Sequence, residues 1–255
     1  MTTLPDAFLK APIAHRALHD IDAGRPENSL SAIRAAIDAG YGIEIDLQLS
    51  SDGQAMVFHD YDLGRLTIEG GPIRKRSATE LARIPLKGGR DTVRTLPEVL
   101  DLVAGRVPLV IEIKDQDGAM GGNLGRLEQA AATALSGYDG PAAVMSFNPQ
   151  SMLRMAALAP DLPRGLTTCS FTPEDWPLLP AGTLERLRAI PDFNHVGASF
   201  ISHEARDLNR PRVSDLTNRG AAILCWTIRT PRQEAEARKV AHNITFEGYL
   251  PPIPS

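Results

Sequence analysis

Eight short, apolar, strand-like runs recur along this 255-residue chain, and helix-like stretches separate most of them. The runs cover residues 12–16, 42–49, 108–114, 142–147, 164–171, 195–201, 222–228 and 243–249. Between them, apolar residues fall at helical spacing over 29–40, 95–105, 124–137 and 149–160, with further helical stretches near 181–189, 204–219 and 231–241. Gly40 closes the first helix and Pro149 opens the fourth, the positions that helix ends favour for these residues. Repeated strand–helix alternation builds a parallel sheet, and eight strands predict a TIM-type (β/α)8 barrel; an open doubly wound sheet is the alternative.

Two segments break the rhythm. Residues 54–59 read as an extra strand, and 62–94 are polar and rich in Gly, Arg and Thr. We read 62–94 as a small insertion after the second-strand hairpin, riding on one barrel domain that spans 1–255, because it is too short for a core of its own. A second irregular excursion, 172–183, is rich in proline.

Composition excludes several classes of function. A net charge of -4 with no basic cluster beyond Arg74-Lys75-Arg76 gives no footprint for nucleic acid. No run approaches the ~20 apolar residues of a membrane span, and MTTLPDAFLKAPIAHR is not a signal peptide, so a cytoplasmic protein without a membrane anchor is expected. Cys169 and Cys225 lie in apolar strand-like runs and read as buried thiols, not as a disulfide framework.

Residues 44–60, EIDLQLSSDGQAMVFHD, carry the chemistry. Read as a hairpin turning on Asp52-Gly53, the stretch sets Leu49 opposite Met56, Leu47 opposite Phe58 and Asp46 opposite His59. Strand alternation puts Glu44, Asp46 and Gln48 on one face. In LVIEIK, Glu112 and Lys114 alternate with Ile111 and Ile113 in the same way. Barrel strands deliver functional groups at their C-terminal ends, so Glu44, Asp46 and Glu112 are expected to converge there. Three carboxylates that close repel one another unless a cation sits between them, and all-oxygen ligands fit one Mg²⁺ or Ca²⁺ better than Zn²⁺. His15 and Arg16 end the first strand and reach the same rim. Two histidines for proton transfer, with a cation and basic side chains to hold an anion, suit displacement at a phosphodiester.

In this order the motifs resemble a known family. AHRALHDIDAGRPENSLSAIRAAIDAGYGIEIDLQLSSDGQAMVFHD is similar to the N-terminal signature of the glycerophosphodiester phosphodiesterases, and the likeness continues through IEIK (111–114) and CWTI (225–228). The resemblance implies a TIM-barrel enzyme that hydrolyses a small-molecule glycerophosphodiester to an alcohol and glycerol 3-phosphate. It implies that His15 and His59 are the acid–base pair and that Glu44, Asp46 and Glu112 bind the divalent metal. It further implies that Arg16 and Lys114 contact phosphate, that Glu27 and Asn28 help organise the site, and that Trp226 flanks it. Phe147, ending the fourth strand, is a second candidate wall of the pocket.

Glu27 also suits the dipole of the following helix, and Asn28 or Ser29 suits its N-cap. Asp60 and Asp62 read as either orienting a histidine or capping a turn. His195 is expected beside the sixth strand, with His19, His203 and His242 on the surface. Two departures stand out: Ala17 replaces a usual glycine, placing first-loop geometry in question, and the C-terminal ITFEGYLPP departs from an Ile-Thr-Asp-x-Pro ending at a point expected to lie beyond the catalytic pattern. Two other readings are a phospholipase D acting on lysophospholipids, which a longer apolar groove using 62–94 would mark, and a non-catalytic phosphodiester-binding barrel.

Overall fold

The computed structural model describes residues 2–254. Ten strands form one sheet: β1 (Ile13–Ala14), β2 (Gly42–Leu49), β3 (Ala55–Val57), β4 (Arg94–Thr95), β5 (Leu109–Ile113), β6 (Ala142–Ser146), β7 (Arg164–Thr168), β8 (Phe200–Glu204), β9 (Ala222–Ile228) and β10 (Asn243–Phe246). Strand β1 pairs in parallel with both β2 and β10, which closes eight parallel strands into the expected barrel. Strands β3 and β4 extend antiparallel from β2, outside the ring.

Alternation sorts the barrel residues into two cores. Outward-facing Ile43, Ile45, Leu47, Ile111, Ile113 and Ile223 pack against the helices, among them α2 (Leu30–Ala39), α4 (Leu96–Val103), α5 (Arg126–Leu135) and α6 (Pro149–Leu158). The second core fills the barrel floor with Ile13, Val110, Ala143, Met145, Phe200 and Leu224, closed by Leu4 and by Phe8 of α1 (Ala7–Lys10). Gly165 is required there, because a Cβ would stand 2.4 Å from the Phe200 ring. Above this floor the inward positions turn polar. Val110 lies opposite Glu44, and one step further along the same face Glu112 lies opposite Asp46.

Helix α2 begins and ends as its sequence directs: Ser29 accepts from the Ala32 N–H at 3.2 Å, and Gly40 takes the left-handed conformation at φ +78°. The 62–94 segment holds a small buried cluster in which Leu63, Ile73, Leu81, Ile84, Leu86 and Val93 pack on Met56 and Phe58. The apolar packing of the segment is thus shared with β3.

Three local expectations are corrected. The hairpin turns on three residues, with the Ser50 N–H donating to the Gln54 carbonyl at 3.0 Å and Gly53 at φ +86°. This longer loop moves the register by one, so Leu47 pairs with Val57 and Gln48 with Met56, and Asp46 faces Phe58 in place of His59. The sixth barrel strand runs over Phe200–Glu204 and not 195–201, because 192–197 are spent on turns that end at Gly197, φ +65°. His203 consequently lies on β8, fully buried, where its Nδ1 meets Thr168 Oγ1 at 2.8 Å. The stretch expected as one helix over 204–219 is a short 3₁₀ turn, Ala205–Asp207, followed by α8 (Pro211–Asn218), whose Pro211 sits where a helix tolerates a missing N–H. The remaining helices are α3 (Ala78–Leu81), α7 (Ala181–Ala189) and α9 (Pro231–Ala237).

Candidate active site

Glu44 and Asp46 stand two residues apart on the inward face of β2, and Glu112 enters beside them from β5. All three are buried, and each offers a carboxylate oxygen within 4.8 Å of the others. Lys114, two residues beyond Glu112, reaches back with Nζ 2.7 Å from Asp46 Oδ1 and 2.6 Å from Glu112 Oε1. The cluster does not share its charge evenly. Burial opposes ionisation of Asp46, but Lys114, His59 and Arg16 outweigh it and hold that carboxyl far below its usual range. Glu44 goes the other way: burial, then Asp46 and Glu112, push its pKa well above the ordinary value. Burial alone would lower the Lys114 pKa, yet Asp46 and Glu112 raise it, so the ammonium stays charged.

The first loop is built around the same acids. The Arg16 backbone N–H donates to Glu44 Oε2 at 2.9 Å, and the Ala17 N–H donates to the Glu44 carbonyl at 2.9 Å. Arg16 and Ala17 both adopt left-handed backbone, at φ +52° and +65°. Ala17 therefore keeps the conformation that a glycine would take, at roughly 1–2 kcal/mol, and Glu44 holds it there. Asn28, also left-handed at φ +58°, locks onto Asp46 with both arms: its Nδ2 donates to Asp46 Oδ2 at 2.9 Å, and its Oδ1 accepts from the Asp46 N–H at 3.2 Å. Glu27 does not cap α2; its carboxylate pairs with Arg16 Nη1 at 2.8 Å.

Each histidine is anchored through Nδ1. His15 follows β1 and meets Glu247 Oε2 at 2.6 Å; His59 meets Asp60 Oδ1 at 2.6 Å. Burial lowers the His15 pKa, although the Glu247 hydrogen bond works in the opposite direction. His59 comes near Asp46 by a different route from the one its sequence position suggests. The chain leaves the ladder after Val57, and Gln48 Nε2 donates to the His59 carbonyl at 3.0 Å. Asp60 thus orients a histidine, while Asp62 Oδ1 accepts from the Gly64 N–H and caps a turn. His19 is not a free surface residue: its Nε2 lies 3.7 Å from Glu247.

Phe147 and Trp226 stand in an aromatic wall with Phe171 and Trp176. Their ring centroids are 5.7 Å apart, and Phe147 lies 5.1 Å from Trp176. Cys169 is buried in that wall, with its thiol pushed up to about 11 by burial; Cys225 lies in the outer core, at about 12 for the same reason. Both thiols are free.

Three members of the site went unread in the sequence. Glu247 lies in the C-terminal departure, which touches His15 and so does not lie beyond the site. Its other oxygen takes Arg229 Nη2 at 2.7 Å. Arg65, from the 62–94 segment, forks onto Glu27 with two bonds of 2.8 Å and onto Asp60 at 2.6 and 2.8 Å. It thereby joins the Arg16 and His59 sides of the site. Trp176 completes the aromatic wall from the proline-rich excursion. An extra acid inside an otherwise apolar C-terminal strand end was the only local signal for any of them.

A model of the glycerophosphoryl diester phosphodiesterase family matches residues 15–244, from the anchored His15 into β10. The chain belongs to this family of phosphoric diester hydrolases. Among its relatives, YhdW of Bacillus subtilis is 25% identical over 234 residues that cover 88% of each chain. A glycerophosphodiester phosphodiesterase of Caldanaerobacter subterraneus is 31% identical over 161 residues, 59% of this chain and 65% of that one. In structure, the chain is similar to an Oleispira antarctica phosphodiesterase solved with the product sn-glycerol-3-phosphate, with a TM-score of 0.77, 25% identity and 94% of each chain covered. Among the described residues, no helix is long and apolar enough to cross a membrane.

Proposed function

We propose that this protein hydrolyses glycerophosphodiesters to an alcohol and glycerol 3-phosphate, using a divalent cation held by Glu44, Asp46 and Glu112 and proton transfer by His15 and His59. The observation that carries the reading is the convergence of three buried carboxylates with two histidines, each tied through Nδ1 to an acid of its own. The carboxylates fit a hard cation. Their donors are all oxygen, and with Lys114 and Arg16 beside them the cluster keeps one negative charge in excess. Mg²⁺ or Ca²⁺ would reverse that excess and favour an anionic diester. When bound, the ion supplies a Lewis-acid contact to a phosphate oxygen as the P–O bond breaks.

The remaining roles fall to the chain itself. Among the described residues, Arg16 Nε is buried with no hydrogen-bond partner, 3.7 Å from Asp46, so it has an N–H to donate to a phosphate oxygen. Lys114 spends two N–H groups on Asp46 and Glu112 and retains a third. With Nδ1 of each histidine committed to a carboxylate, Nε2 is the atom left for proton transfer. One histidine takes the proton of the attacking water, or of a neighbouring glycerol hydroxyl; the other gives a proton to the departing alkoxide. The substrate is a small molecule, and two free buried thiols support a cytoplasmic setting.

Glycerol 3-phosphate release from glycerophosphocholine, measured with EDTA and with each metal added back, tests this reading. Turnover is expected to vanish with chelation and to return with Mg²⁺ or Ca²⁺. His15→Ala and His59→Ala are each expected to cost at least ~10² in turnover at unchanged melting temperature. Full activity in EDTA, or near wild-type turnover in either variant, would sink it.

A further inference from the structure

Arg65 stands where the 62–94 segment folds back over the barrel mouth, and its backbone is fixed from below. Leu63 and Leu66, on either side of it, pack in the buried cluster that rests on Met56 and Phe58, just before His59. Lys87 Nζ donates to the Gly64 carbonyl at 2.7 Å, and the Lys87 N–H donates to the Leu66 carbonyl at 2.8 Å. The guanidinium rises from this base half-exposed, yet makes four hydrogen bonds of 2.6 to 2.8 Å. Nε and Nη2 hold the two oxygens of Asp60, while Nη1 and Nη2 hold the two oxygens of Glu27.

Both carboxylates are also engaged with the site. Glu27 Oε1 accepts from Arg16 Nη1 at 2.8 Å, and Asp60 Oδ1 meets His59 Nδ1 at 2.6 Å. Basic and acidic groups therefore alternate without a break from Arg16 through Glu27, Arg65 and Asp60 to His59. Among the described residues, Arg65 is the one side chain besides His59 that the Asp60 carboxylate bonds. A carboxylate can fix the direction of an imidazole only if it is held itself. The planar fork is what holds it here. A lysine ammonium is a point charge on a flexible stem and cannot give paired bonds to two carboxylates at once. Without the fork, Glu27 and Asp60, which share Nη2, face each other as like charges and turn apart. We propose that Arg65 is a positioning residue for the hydrolysis: it locks Asp60, and through it the His59 ring, to the loop that carries Arg16. The 62–94 segment thereby supplies a working part of the site. This rests on the hydrolase reading above. Half-exposed ion pairs add little to stability, so the consequence falls on geometry and rate.

The test uses Arg65→Lys, which keeps the charge and loses the fork, in the full chain with Mg²⁺ supplied. With glycerophosphocholine, kcat is expected to fall at least about tenfold, the scale on which a misplaced catalytic group acts. KM should stay within about threefold, because the ring is needed in the transition state and not for binding. The melting temperature should move by less than about 4 °C. A residue that acts through His59 loses its effect where His59 is absent, so in the His59→Ala background the same change should cost less than about twofold. Asp60→Asn cuts the same link and should show the same loss and the same non-additivity. The ring also reports directly. Its imidazole nitrogen NMR signals, identified by their loss in His59→Ala, should shift in Arg65→Lys in the direction seen in Asp60→Asn. Near wild-type kcat in Arg65→Lys, or equal costs with and without His59, would overturn the proposal. Hydrolysis by the wild type with unmoved His59 signals in Arg65→Lys would overturn the lock and leave the hydrolase reading standing. No hydrolysis of any diester by the wild type, with those signals shifted, would overturn the hydrolase reading and uphold the lock on His59.

Discussion

Replacing Glu247 by Gln probes the member of the site that lies furthest in sequence from its partner. The carboxylate sits 2.6 Å from His15 Nδ1, 232 residues away, and its other oxygen is held by Arg229. Gln has nearly the same shape, so the fold is expected to stay intact while the charge is lost. A hydrogen bond to a charged group contributes about 1.5–3 kcal/mol. If it is needed when His15 carries its proton, losing it lowers kcat by roughly 10–10². A second effect has a definite sign. Burial lowers the His15 pKa and the Glu247 bond raises it, so the variant pKa falls further. The limb of the pH–rate profile that belongs to His15 therefore moves to lower pH, whichever proton transfer that histidine performs. Arg229→Gln serves as the control. Arg229 is 58% exposed and leaves the His15–Glu247 contact in place, so its cost should stay below about fivefold. The assay is product release from glycerophosphocholine across pH, with melting temperature measured alongside. Wild-type kcat and unmoved limbs in Glu247→Gln would refute the idea that Glu247 acts through His15.

Three further outcomes are expected. Burial and two like charges raise the Glu44 pKa, so its ionised form opposes folding at neutral pH. Metal-free Glu44→Gln should then melt at or above the metal-free wild type and lose most of the rise in melting temperature on adding Mg²⁺ or Ca²⁺; a clearly lower melting point in EDTA contradicts this. Burial raises the pKa of both Asp60 and Glu27, but contacts that include Arg65 hold both below their usual values. A depressed carboxylate stabilises the fold above its unfolded pKa, near 4, and that stability is lost as pH falls through the folded value. Arg65→Gln should thus cost about 1 kcal/mol at neutral pH, with the gap closing on acidification below about pH 4; urea midpoints with equal gaps at both pH values would exclude it. Asn28→Ala leaves a left-handed alanine and an unpartnered Asp46 N–H, for a loss of about 2–4 kcal/mol in denaturant unfolding, and a loss under 1 kcal/mol would argue against the Asn28 lock.

Much of the molecule is legible locally. Short-range periods suffice to give the number of barrel strands, the inward face of Glu44 and Asp46 and the matching face of Glu112 and Lys114, and local end signals place the start of α2 at Asn28 or Ser29 and its end at Gly40. These follow from backbone geometry, in which side-chain direction repeats every two residues in a strand and every 3.6 in a helix. The same periods cannot choose between neighbouring registers. Asp52-Gly53 supports a two-residue or a three-residue turn, and the sheet adopted the longer one, with Gly53 left-handed. Residues 195–201 read as a strand in the sequence, and the turns over 192–197 together with pairing to β7 move its start to Phe200.

Contacts that close the barrel leave no periodic trace at all. Glu247 reaches His15 because β10 lies beside β1, and Arg65 joins Glu27 to Asp60 because a surface excursion folds back over the rim. The sequence by itself determined the barrel and the acids and histidines that its strands carry. Which partners orient those histidines was decided only when distant segments met, since a charge takes its role from what stands across from it.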